Sequence, residues 1–374
     1  MRVSAQPSRN EFYSRNALKL GIFGPNLSSG LAATKVPERW SGSWADNLAL
    51  ARMLDAAGME FILPVGRWKG YGGATDFEGE GFETITWAGG LLAATKTITV
   101  FGTVHTPLIH PVFAAKQFVT VDHVSAGRFG LNVVCGWNQD EFDMFGAQQR
   151  EHDLRYAYGK EWLAVVKGLW EHTEPFDVSG EFFNLRGVIG GPKPYGHTRP
   201  VVMNAGSSAV GMTFAIEHCD HLFIGIRSRI GEASDVIGDV LNRARASGKD
   251  EFGVFGIGIV VCRPTKREAE DYWHYFADEQ ADWEAVDRMV GIGTKTPPSP
   301  QRLEQYQRIR TRFAAGYGGW PLIGDPDTVA ADLAEMARVG FTGVALGFVN
   351  YLDEFPYFRD EVLPRLARAG LRQP

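Results

Sequence analysis

TITVFGTVHTPLIHPVFAAKQFVTVDHVSAGRFGLNVV, residues 97–134, sets two β-branched and apolar runs (97–103 and 129–134) on either side of a segment with helical spacing (111–124). That alternation belongs to a parallel sheet covered by helices. The unit recurs in both directions along the chain. Upstream, strands at 19–25 and 60–65 precede helices near 44–57 and 82–94; the strand at 129–134 is itself followed by a long helix near 150–170. Downstream, strands at 201–206, 221–226, 252–262 and 343–348 lead into helices near 208–218, 231–246, 266–290 and 355–369. Eight such units predict an α/β fold of the (β/α)8 TIM-barrel type.

Two stretches interrupt the rhythm. DVSGEFFNL (177–185) has strand–turn–strand character and predicts a small β-hairpin within an excursion near 171–200. Residues 291–325 are too long and too rich in Gly and Pro for a simple connection, so they predict a mobile insertion between strands seven and eight, beside the active face. A helix at 326–339, capped by Asp325 or Asp327, follows it. The expected organisation is an N-terminal polar arm, 1–17, and a single barrel domain, 18–374.

With 44% hydrophobic and 22% charged residues, the 374-residue chain is neither disordered nor collagenous, and it has ample material for a large core. Its 38 Lys+Arg against 44 Asp+Glu give a net charge of -6 without runs of like charge, which argues against nucleic acid or an anionic membrane as partner. Cys135, Cys219 and Cys262 are odd in number and set in apolar surroundings, as buried thiols of a reducing compartment are. The first residues lack an apolar signal region, and the expected location is cytoplasmic.

In a barrel of this kind ligands lie at the carboxyl ends of the strands. There, AGSSAVG places Gly206, Ser207 and Ser208 at the first turn of a helix, where backbone N–H groups and two hydroxyls can hold a phosphate. A serine that merely caps the helix explains the same letters. Arg155 and Tyr156 open the long helix and either serve that phosphate or form a solvated first turn. NVVCGWNQDEF brings Asn132, Trp137, Asp140 and Glu141 to one strand end; Asn138 as a helix cap accounts for the acids but not for Asn132. No GxGxxG opens a βαβ unit and no GxxxxGK[ST] occurs, so a mononucleotide phosphate fits better than a dinucleotide. Glu217, His218, Cys219, Asp220 and His221 straddle a helix end and a strand start, so their ligand atoms diverge and no metal site is expected. Glu78, Glu80 and Glu83 with Trp68, Tyr71 and Trp87 could form a glycosidase cleft, but a glycine-rich solvated loop accounts for the acids more simply. His105 and His110 flank the loop after strand three as substrate partners or structural hydrogen-bonders.

Taken in order, VDHVSAGRFGLNVVCGWNQDEF, HDLRYAYGKEWLAVVKGLWE, FDVSGEFFNL, PVVMNAGSS and LIGDPDTVAADLAEMARVGFTGVAL resemble the bacterial-luciferase-like flavin-dependent monooxygenases, from about residue 18 to 371. The resemblance implies a barrel, dimeric or tetrameric, that takes reduced FMN from a separate NAD(P)H:flavin reductase and uses O2 to oxidise a small molecule. GRWKGYGGATDFEGEGFETITWAGGLLAAT most resembles the pyrimidine monooxygenases that open the uracil ring, with the dimethyl sulfone monooxygenases next. Carried over by position, the FMN contacts are Gly66, Arg67, Asn132, Glu141, Arg155, Tyr156 and Ser208, joined by the neighbouring Trp137, Gly206 and Ser207. Thr103 and Asn132 match the catalytic pair that lines the oxygen pocket. Trp68, Lys69, His105 and Arg227 are the expected substrate-side residues.

Alkanesulfonate monooxygenases carry charged or reactive groups where this chain has Ile257, Ile259, Lys69 and Ala315. A sulfonate needs compensating charge, which leaves Arg227, Arg229 or Lys69 to supply it. The expected reaction is oxidative cleavage of a carbon–heteroatom bond in an N-heterocycle or cyclic amide. The alternatives are C–S cleavage in a sulfone or alkanesulfonate, and a deazaflavin-dependent dehydrogenase on the same barrel.

Overall fold

The computed structural model describes residues 11–225, 230–293 and 298–373. Strands β1 (Lys19–Phe23), β2 (Phe61–Leu63), β3 (Thr99–His105) and β4 (Phe129–Val134) are followed by the hairpin β5 (Phe176–Ser179) and β6 (Asn184–Val188). Then come β7 (Val201–Asn204), β8 (His221–Ile224), β9 (Gly253–Cys262), β10 (Trp320–Gly324) and β11 (Gly343–Gly347). Parallel pairing runs β9-β11-β1-β2-β3-β4-β7-β8, and β8 returns to β9 (His221↔Gly253 to Ile224↔Gly256), closing the eight-stranded barrel expected from the sequence. The helices are α1 (Trp44–Ala56), α2 (Thr84–Ala93), α3 (Pro111–Val124), α4 (Gln139–Met144), α5 (His152–Glu171), α6 (Ala209–His218) and α7 (Ile230–Ala246). α8 (Lys266–His274), α9 (Trp283–Met289), α10 (Pro300–Arg308), α11 (Arg310–Gly316), α12 (Pro326–Arg338) and α13 (Tyr351–Arg368) complete the set. Among the described residues no helix is long and apolar enough to cross a membrane.

The period-2 alternation of the strands separates two cores. Leu20, Ile62, Val100, Leu131, Val202, Val254 and Val344 face the helices. Phe61, Phe101, Met203, Phe223, Phe255 and Ile257 fill the barrel interior. Three of those rings have room because each stands in register with a glycine of the next strand: Phe61 with Gly21, Phe101 with Gly130 and Phe255 with Gly343. A Cβ on any of these glycines would lie 2.4–2.6 Å from the facing ring.

The segment read as an arm does more than trail. Phe12, in a short 3-10 turn at Glu11–Tyr13, is buried against Phe61, Phe101, Phe255 and His221, with ring centroids 5.1–5.8 Å apart, and forms the barrel floor. Beside it the buried Glu60 accepts from Leu20 N–H (2.8 Å) and from Arg372 (2.6 Å), which clamps the chain's last turn to β1.

Two readings, of the seventh helix and of the insertion after it, need correction. The helix expected at 266–290 is broken into α8, a π-turn (Tyr275–Glu279) and α9. At the break Asp282 N–H bonds the Ala33 carbonyl (2.8 Å) and Asp282 Oδ2 accepts from Thr75 N–H (2.7 Å), so tertiary docking overrides helical spacing. Residues 291–325 hold α10, α11 and a ninth parallel strand, β10, paired with the upper half of β9 (Trp320↔Gly258 to Gly324↔Cys262). Pro321 concealed it. An edge strand tolerates proline because one side makes no ladder.

Candidate active site

Thr103 and Asn132 are register partners on β3 and β4, both pointing into the interior one pleat above Phe101. Thr103 Oγ1 donates to the Pro64 carbonyl (2.7 Å) and accepts from Asn132 Nδ2 (3.2 Å). Asn132 Oδ1 is buried without a partner. Gly66 closes over this pair: a Cβ there would sit 3.2 Å from the Thr103 methyl and 3.7 Å from the His105 ring.

Above them a buried ionic junction ties three loops together. Arg67, after β2, donates from Nε to Glu78 (3.0 Å), from Nη1 to Glu141 (3.1 Å) and from Nη2 to the Tyr317 hydroxyl (3.1 Å). Tyr317 in turn donates to Glu78, and Glu141 accepts from Trp68 N–H (3.0 Å) and stands 3.5 Å from His105 Nδ1. The guanidinium also lies over the rings of Tyr71 (4.7 Å) and Trp137 (5.4 Å). Burial opposes its charge, but its surroundings, in which Glu78 and Glu141 are the ion-pair partners, outweigh that and raise it. Burial pushes the Glu78 carboxyl up against the pull of Arg67. Glu78 and Tyr317 both adopt left-handed backbone, φ 58° and 51°, and this aims them at one another.

Burial lowers His105 to about 4 despite Glu141, and it does the same to His221 at the floor, whose Nδ1 accepts from Gly253 N–H (3.0 Å). An unfolded histidine titrates near 6.5, so between about pH 6.5 and 4 the unfolded chain binds protons that the folded one refuses. Stability therefore falls as pH drops through that window, by up to about 3 kcal/mol per histidine. Urea unfolding at pH 7 and pH 5 should show the loss, and His221→Gln should flatten the slope. An identical slope in the variant would refute the assignment.

The third element is the loop after β7. Asn204 Nδ2 donates to the Val133 carbonyl of β4 (2.7 Å) while its Oδ1 accepts from Gly206 N–H (2.9 Å). Gly206 is wedged: a Cβ would lie 2.7 Å from Asn204 Oδ1 and 2.8 Å from the Gly211 Cα. Ser208 caps α6, accepting from Gly211 N–H (3.1 Å), and also bonds the Tyr156 hydroxyl. The capping reading thus holds, with a phenol added to it. Ser207 is exposed beside it. Arg155 is no solvated first-turn residue: Nη1 donates to the Gly136 carbonyl (2.7 Å), and Nε is buried without an acceptor.

The remaining expected residues are dispersed. Trp68 is exposed and packs edge-on against Phe145 (5.0 Å), and Lys69 pairs with Asp140 (3.2 Å) at the rim. Trp137 is also exposed. Arg227, with Arg229, lies outside the described residues. Ile257, Ile259 and Ala315 are buried and apolar. Asn138 caps α4 and His110 caps α3, as structural roles require. Glu217 and His218 end α6, Asp220 pairs with Arg199 (2.6 Å) and His221 enters the floor, so these side chains do diverge. Trp87 is a core residue bonded to Asn47 (3.0 Å), and Glu83 caps α2. The solvated-loop reading fails for Glu78, which is 1% exposed. Sequence reasoning also missed Tyr317 and Asn204; the signal for Asn204 was its place at a strand end, while nothing in the spacing marked Tyr317.

A closed parallel barrel with an amide–hydroxyl pair, an ionic junction and a glycine-wedged helix start at one mouth defines a class, and a family match makes it specific. The model of the luciferase-like monooxygenases matches residues 18–343, and the chain belongs to that family. It is 30% identical over 362 residues to an FMNH2-dependent dimethylsulfone monooxygenase of Pseudomonas fluorescens, covering 94% of this chain and 95% of that protein. It is 29% identical over 365 residues to the pyrimidine monooxygenase RutA of Methylorubrum populi, covering 96% and 95%. Among solved structures it superposes on a riboflavin lyase, determined with modified FMN and riboflavin, with a TM-score of 0.83 at 22% identity, covering 95% and 92%.

Proposed function

We propose that this enzyme is a two-component monooxygenase that uses reduced FMN and O2 to cleave a carbon–heteroatom bond in a small neutral substrate, an N-heterocycle or cyclic amide of the pyrimidine type. The observation that carries the cofactor is a pair of buried orphans, one in the first turn of α5 and one on β4: Arg155 Nε lacks an acceptor and Asn132 Oδ1 lacks a donor. A phosphate answers the first and a ring N–H the second. Ser207, Ser208, Tyr156, Arg155 and the Gly206 turn would hold the phosphate, with Gly66, Asn132 and Trp137 around the ring. When bound, reduced FMN supplies the two electrons with which one oxygen atom enters the substrate and the other leaves as water.

The protein's own groups position, desolvate and hydrogen-bond. Arg67 and Glu141, fastened to each other, give the mouth a fixed shape. Arg67 is matched by two carboxylates and Lys69 by Asp140, and Arg155 is assigned above to the FMN phosphate, which weighs against a sulfonate as substrate. The buried Ile257 and Ile259 add an apolar wall. A neutral sulfone is the second reading, favoured by the 30% identity to the dimethylsulfone enzyme and by that same wall. A flavin reductase as transient partner and a homodimer or homotetramer in the cytoplasm complete the proposal.

The test pairs binding with turnover. Ser208→Ala with Tyr156→Phe should weaken reduced FMN by about 1–3 kcal/mol, as lost hydrogen bonds to a charged group do. Unaltered affinity moves the phosphate elsewhere. With a generic flavin reductase, uracil-like heterocycles, dimethyl sulfone and short alkanesulfonates are offered and products read by mass spectrometry. Substrate-linked oxygen uptake is expected; hydride transfer to a deazaflavin without oxygen uptake would overturn the monooxygenase reading.

A further inference from the structure

The Thr103–Asn132 pair has a fixed hydrogen-bond polarity, and it can be read from one end. The Pro64 carbonyl can only accept, so the single Thr103 hydroxyl proton is committed to it. Toward Asn132 that hydroxyl can then only accept, so the amide atom facing it must be Nδ2, as placed at 3.2 Å. The amide is locked. Its Oδ1 remains as a buried acceptor, with no partner, in the interior above Phe101. An orphaned buried acceptor is costly until a donor arrives.

We infer that Asn132 reads the redox state of the flavin, its Oδ1 accepting from the ring nitrogen that carries hydrogen only in the reduced form. The inference rests on the FMN reading above. An oxidised ring presents a lone pair at that nitrogen, and two acceptors would then face each other with no freedom for the amide to turn. Thr103 is accordingly a positioning residue. Its proton is already spent, so it locks Asn132 and donates nothing to a reacting oxygen.

The test is the ratio of dissociation constants for oxidised and reduced FMN, measured anaerobically on the full chain by ultrafiltration and, independently, as the two-electron potential of the bound flavin. Wild type should favour the reduced form. Asn132→Leu should weaken reduced FMN about three- to tenfold and leave oxidised FMN no weaker, as loss of one hydrogen bond implies. A tenfold change in the ratio appears as about 30 mV in the potential. Thr103→Val frees the amide to turn, so it should strengthen oxidised FMN relative to reduced; any general loss of stability cancels in the ratio. Equal weakening of both forms by Asn132→Leu, or an unchanged ratio in both variants, overturns the inference. So does an effect of Asn132→Leu on uracil binding alone, which would make the acceptor a substrate contact. Failure of wild type to bind FMN in either state would instead overturn the functional reading.

Discussion

Arg67→Met is expected to cost about 3–5 kcal/mol of stability, the range found when one partner of a buried ion pair is removed. Methionine fills similar volume, so the loss reflects charge. Glu78 and Glu141 would share a buried pocket without their common cation, and the Tyr317 hydroxyl would lose one of its bonds. The pH dependence has a definite sign. The Glu78 carboxyl, already pushed up by burial, rises further without the guanidinium, so whatever stability it contributes is present at low pH and disappears as pH rises through its folded value. The gap between variant and wild type in urea unfolding should therefore be wider at pH 8 than at pH 5. A loss below about 1 kcal/mol, equal at both pH values, would mean that the junction is solvated and that Arg67 is held mainly by packing.

Phe12→Ala is expected to cost a comparable 3–5 kcal/mol, because it empties a fully enclosed aromatic site. The surrounding rings of Phe61, Phe101 and Phe255 are held by strand register against glycines and cannot collapse inward. Urea unfolding should show a lower midpoint with an unchanged slope, the signature of lost stability rather than altered unfolding. A change within about 0.5 kcal/mol, typical of surface substitutions, would show that residues 11–17 merely lie against the barrel.

The barrel was legible because each of its strands is bracketed by helical spacing, whereas the pair Thr103 and Asn132 came from the family resemblance, and the structure places them in register on neighbouring strands. The hairpin was legible from its own turn. What escaped has physical causes. β10 carries Pro321, which reads as loop until an edge position excuses it. Phe12 sits among polar letters, and only three-dimensional closure reveals that a floor needs it. Glu78 looks like one acid among several in a glycine-rich loop; its burial depends on Tyr317, 239 positions away, which local spacing cannot convey. Ser208 was legible as the cap of α6 that the structure shows; a helix cap and the proposed phosphate clasp use the same hydroxyl geometry.

The clamp between Glu60 and Arg372 joins positions 312 apart. A ribosome working at about 5–20 residues per second needs roughly 15–60 s to travel that distance. For all of that interval Glu60 lacks its guanidinium, and the Lys19 ammonium is the nearby cation left to it. The Leu20 N–H bond that ties β1 to Glu60 has both its partners from the start, whereas the ion pair does not. Fastening Glu60 to Arg372 is therefore a late step of folding, open only after residue 372 has left the ribosome.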